Sequence, residues 1–158
     1  MRLSLADLVV LAVAFLLLGY AMTRSGGTTP IENILASSLI TPGAINPDVT
    51  QSTIRSTICV RGWTATVRPP SAFTSALKLR QMETYGETGP PSAYQEDHLI
   101  SLELGGSPTD PRNLWPEPYP RAAQVDQIEN ALNHRVCAGE MRLADAQAAE
   151  AALKHEEG

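Results

Sequence analysis

Asp97 and His98 stand side by side in the run Glu96-Asp97-His98-Leu99-Ile100, and Asn113-Leu114-Trp115 follows, its asparagine fifteen residues after the histidine. Gly105-Gly106 lies between them. These residue types can do hydrolytic chemistry. An imidazole has an ordinary pKa near 6.5 and can take a proton from water at neutral pH. A carboxylate beside it offers hard oxygen to Mg²⁺ or Mn²⁺. On a regular strand the two side chains would point to opposite faces, so they share a site only where the strand end bends or twists.

This spacing resembles the first two thirds of the HNH motif of the HNH endonucleases, whose ββα-metal unit hydrolyses nucleic-acid phosphodiesters. The resemblance covers roughly Tyr94 to Cys137. It implies that Asp97 is a metal ligand and that His98 is the base activating the attacking water. Asn113 would fix the histidine-bearing loop through backbone hydrogen bonds or join the metal. The third position departs from the family, which usually supplies His or Asn nine to thirteen residues after the middle asparagine. Here those places hold Ala122 and Asp126. Asp126 would complete an oxygen-rich set suited to Mg²⁺ or Mn²⁺ and poor for zinc, with Glu129 one turn further on. Arg112 could hold a neighbouring phosphate with its planar fork, and reads equally as a loop charge. The implied reaction is one-metal phosphodiester hydrolysis, on DNA in preference to RNA.

The elements that must position these residues can be read from turn chemistry and periodicity. Tyr94 to Ile100 reads as a strand and Ser101 to Arg112 as a long loop rich in turn residues. Asn113 to Trp115 reads as a second strand ended by Pro116 and Pro118. Val125, Ile128, Leu132 and Val136 recur at helical spacing over Arg121 to Val136, and a last Ala-rich helix spans Leu143 to Lys154. Upstream, Thr50 would cap a short helix from Gln51 to Ile58. Trp63 to Val67 alternates like a strand until Arg68-Pro69-Pro70, and Ser71 opens a helix to about Thr84 with Gly86 behind it. Trp63 and Trp115 are expected in the core of so small a domain. The fold class expected is α+β, a ββα-metal-like unit with flanking helices and an N-terminal hydrophobic targeting helix.

At 158 residues there is room for one modest domain. The net charge of −5 argues against a strong nonspecific DNA binder. The charge is uneven, with Arg55, Arg61, Arg68, Lys78 and Arg80 set against Glu83 alone, while Glu140 to Gly158 carries five acids and two basic residues. Residues 1–22 contain an uncharged run from Leu8 to Met22 behind Arg2, short for a membrane span of about 20 residues and suited to a signal peptide. Cleavage and retention as a membrane anchor both stay open, and either puts the body outside the cytoplasm. Residues 23–45 read as a linker and 46–158 as the HNH-like domain. Cys59 and Cys137 belong to no zinc-type cluster and most simply form one disulfide in an oxidising compartment, two unrelated thiols being the alternative. Two functions compete: an exported or tethered metal-dependent nuclease, and a non-catalytic extracytoplasmic module that keeps the scaffold to bind a protein or cell-envelope partner.

Overall fold

The structure, a computed structural model, describes residues 35–156. The expected targeting segment and residues 23–34 of the expected linker lie outside them. Among the described residues the chain forms four α-helices and a two-stranded antiparallel sheet: α1 (Trp63–Val67), α2 (Ser71–Tyr85), β1 (Tyr94–His98), β2 (Leu114–Pro118), α3 (Tyr119–Ala138) and α4 (Leu143–Glu156). None of these helices is long and apolar enough to cross a membrane.

β1 and β2 pair with Asp97 opposite Trp115 and His98 opposite Leu114. Pro116 lies inside β2, which runs on to end at Pro118. A proline lacks only the donor, and β2 has a strand partner on one side alone, so no second ladder is interrupted. On its other side Gln81 of α2 supplies the missing donors, its amide nitrogen reaching the carbonyls of Leu114 at 2.7 Å and Pro111 at 2.9 Å.

Trp63–Val67 is a helical turn, not the expected strand. Trp63, Thr64 and Val67 are its half-buried residues, the i, i+1, i+4 spacing of one turn of helix and not of alternation. With no third strand to pair with, the segment satisfies its backbone locally, as in Arg68 N–H to Thr64 O at 3.0 Å. Gln51 to Ile58 is likewise a series of turns with one 3₁₀ segment at Ile54–Ser56, and the Thr50 hydroxyl bonds Ser52 and Thr53 rather than capping a helix. Residues 35–45 are not a tether. Ala36 and Thr41 are buried, Thr41 bonds the Tyr85 hydroxyl at 2.6 Å, and Ile45 bridges to Gly106.

The main core gathers Val49, Ile54, Ile58, Ile100, Leu104, Leu132, Val136, Leu143 and Ala146. Cys59 and Cys137 are joined, and the bond ties the segment before α1 to the end of α3. Trp115 is fully buried with Leu99 and Ala36 in a second cluster, while Trp63 packs half-buried on the first. The inward stripe of α3 differs from the apolar one expected: Ile128 is exposed and Glu129 takes the inner place.

Candidate functional site

The turn between the strands is built around Gly105-Gly106. Gly105 has φ +76°, and a side chain on Gly106 would stand 1.7 Å from the Ile100 carbonyl, so that approach demands glycine. Asn113, fully buried, pins the turn from the other side. Its side-chain oxygen accepts from Ile100 N–H at 3.0 Å and Ala44 N–H at 3.3 Å, and its amide donates to the Ile100 and Ser107 carbonyls at 3.0 Å. Asn113 therefore holds the loop through backbone hydrogen bonds, and the residue after Ser107 in that loop is Pro108.

His98 closes β1. Its Nε2 lies 3.2 Å from the Pro108 carbonyl. A carbonyl oxygen can only accept, so Nε2 carries the hydrogen and Nδ1 is left with its lone pair. Nδ1 has no hydrogen-bond partner among the described residues. Burial pushes the imidazole below its ordinary pKa, against the opposing pull of Asp97, and the ring is neutral at pH 7.

A cavity of about 370 Å³ opens beside the end of β1. Its wall draws Glu96, Asp97 and His98 from β1, Ser101 and Glu103 from the turn, Asp126, Glu129 and Asn130 from α3, and Arg68 from the end of α1. Asp97, His98 and Asp126 thus border one space although Asp97 and His98 are sequence neighbours. Arg112 is not among the lining residues. It is exposed and pairs with Asp110 at 2.6 Å, and Arg68 is the guanidinium that borders the cavity.

One oxygen of Asp97 is already engaged. Its Oδ2 lies 3.0 Å from the ammonium of Lys154, which is itself fully buried and also touches Glu129 at 2.6 Å, Glu150 at 3.4 Å and the backbone carbonyl of His98. Burial works to raise the Asp97 carboxyl, but Lys154 overrides it and holds Asp97 below the ordinary carboxylate range. Among the described residues no group of three or more His, Cys, Asp or Glu is arranged to hold a metal ion. The carboxylate expected to be a metal ligand already has a cation, and the residues do not fit the divalent ion that the resemblance implies.

Lys154 and Glu150 are the site residues that sequence reasoning missed. A Glu-Lys pair at i, i+4 on an Ala-rich helix reads as a solvated surface pair. The available signal was position: Glu150 and Lys154 continue the buried stripe begun by Leu143 and Ala146. Glu150 accepts both of its hydrogen bonds from Ser101 N–H, at 2.9 and 3.0 Å.

Three carboxyls around the site keep protons at neutral pH. Burial pushes Glu96, Glu117 and Glu150 up to about 8. Proximity of Asp97 adds to the rise at Glu96 and Glu117, and Glu129 does the same at Glu150. The folded state therefore holds protons that the unfolded chain releases from about pH 4.5 upward, so stability is greatest in mild acid and is lost as pH rises toward 8. The lowered His98 acts in the opposite sense below its ordinary pKa near 6.5 and the lowered Asp97 below about pH 4, against three raised carboxyls. The thermal midpoint should fall by on the order of 10 °C between pH 5 and pH 8.5. Melts across that range would check it, with Glu150→Gln flattening the curve; a midpoint that rises with pH would refute the assignment.

Comparison of the chain with protein-family models, with curated proteins and with solved structures finds no match.

Proposed function

We propose that this protein hydrolyses phosphodiester bonds of nucleic acid outside the cytoplasm, as an HNH-like ββα hydrolase whose base is His98. The observation that carries the reading is the state of that imidazole. Its Nε2–H is committed to the Pro108 carbonyl, its Nδ1 has no hydrogen-bond partner among the described residues, and His98 is one of the residues lining a cavity large enough for a phosphodiester group. A general base needs that arrangement: neutral, oriented and beside the reacting space. Nδ1 takes a proton from water as the water oxygen attacks phosphorus, the bond to the leaving oxygen breaks, and that oxygen is protonated from solvent. Arg68 at the cavity edge can bind a phosphate oxygen. DNA is the substrate we favour over RNA. The formed disulfide supports an oxidising location, and contact with a membrane would come through residues 1–22.

The test is nicking of supercoiled plasmid by the purified, oxidised protein, in EDTA and with Mg²⁺ or Mn²⁺. His98→Ala should lower the rate at least about 100-fold, and the acid limb of the wild-type profile should lie below the ordinary imidazole range. Equal cleavage by both proteins, or none under any condition, would defeat the proposal.

One observation favours the non-catalytic alternative. The cavity wall carries Glu96, Asp97, Glu103, Asp126 and Glu129, and a carboxylate-rich wall repels an anionic backbone unless protons and cations offset it. A binding partner for such a module would be a protein or envelope component with basic groups. Pull-down of a basic partner together with absent nicking would favour it.

A further inference from the structure

We propose that Lys154 is the resident cation of this site: its ammonium stands among Asp97, Glu129 and Glu150, on the carboxylate to which the resemblance assigns a divalent metal, and the site binds no such ion. The inference concerns the source of the site's positive charge and does not rest on the hydrolase reading.

The surroundings of Lys154 are those of a bound ion, assembled from three elements of the fold. β1 gives the Asp97 carboxylate and the His98 carbonyl, α3 gives Glu129, and α4 gives Glu150 and the lysine itself. An ammonium has three hydrogens to donate, and the His98 carbonyl, Asp97 and Glu129 take them, with Glu150 a longer fourth contact. The separations to Glu129 and Asp97, 2.6 and 3.0 Å, suit charged hydrogen bonds. Magnesium requires oxygens near 2.0–2.1 Å in octahedral array, whereas one oxygen each of Asp97 and Glu129 is already taken by the ammonium.

The lysine is fixed from a distance. Upstream on α4, Leu143 and Ala146 are in the main core, Leu143 N–H bonds the Gln51 side chain at 2.7 Å, and Gln147 bonds the Leu104 carbonyl at 2.8 Å. Charge also closes locally. Burial raises both Glu150 and Glu129, Asp97 is the carboxylate held below its ordinary range, and the Arg121 guanidinium adds a second cation nearby, 3.3 Å from Glu117. Because Lys154 donates to the carbonyl of His98, it also holds the peptide that follows the base. It is a positioning residue as well as a counter-charge.

The experiment is a Mn²⁺ titration of the full chain by calorimetry, with thermal melts in EDTA and in millimolar Mn²⁺. Wild type should show no one-to-one binding, and its midpoint should be the same in both buffers. Lys154→Met removes the ammonium and leaves buried carboxylates uncompensated. Its midpoint should fall by about 10 °C or more and recover with added Mn²⁺, as expected when an ion binds only the folded state. Wild-type binding at one-to-one stoichiometry that Asp97→Asn abolishes would overturn the inference. So would a folded Lys154→Met protein that Mn²⁺ does not stabilise. If Lys154→Met does not fold, the wild-type titration with Asp97→Asn decides alone. Failure of the hydrolase reading would appear only as absent nicking and leaves these readouts intact.

Discussion

Asn113→Ala should destabilise the protein by about 4 kcal/mol or more, near the upper end of what one substitution does. The side chain is fully buried and makes four hydrogen bonds, all to backbone groups. Each buried backbone group left without a partner costs about 1–3 kcal/mol. A cavity replaces the amide, and the turn carrying Pro108 loses its anchor to Ile100. Asn113→Asp separates shape from chemistry. It keeps the acceptor toward Ile100 N–H, but sets a carboxylate oxygen against the Ile100 and Ser107 carbonyls, so it should be nearly as damaging at pH 7. Urea unfolding of both variants would measure the effect. A loss below about 1 kcal/mol for Asn113→Ala would mean that other contacts hold the turn.

Reduction of Cys59–Cys137, or replacement of both by alanine, should cost about 4 kcal/mol, since the bond closes a loop spanning 78 positions. In a domain of this size that corresponds to roughly 15 °C in thermal midpoint. The Cα atoms are 5.6 Å apart, an ordinary separation for a disulfide. The tie is between the Ile54–Ile58 turns, which have little regular structure of their own, and the last turn of α3. The turns should therefore open first, exposing Ile54 and Ile58 from the main core. Melts with and without dithiothreitol would show the shift, and identical curves would refute it.

Where local chemistry decides, the fold was legible. Ser71 after two prolines and Gly86 behind Tyr85 bound α2 closely, and Gly86 adopts φ +73° at its end. The order strand, turn, strand, helix could be read because Gly105-Gly106 and the proline cluster punctuate it. The cysteines could be paired, whereas Asn113, read as the first residue of the second strand, closes the 3₁₀ turn before it. What was not legible depends on partners far along the chain. Five alternating residues at Trp63–Val67 specify a strand only if another strand lies beside them. Pro116 ends a strand only if both of its sides need donors. The α3 stripe misled for a further reason: a periodicity reading takes inward to mean apolar, and here Glu129 faces in because Lys154, 25 positions later, is there to receive it. The same assumption hid Lys154, so the nearest charge to Asp97 lay outside any motif.

The amide of Gln81 lying along β2 bears on how the protein behaves in a crowd. A two-stranded ribbon ordinarily offers open peptide groups from which a second molecule could grow a sheet, the first step toward fibrils. Here a side chain already occupies the acceptors of Pro111 and Leu114, and the prolines remove donors along the same strand. The β2 edge of the ribbon is therefore a poor template for a neighbour's strand.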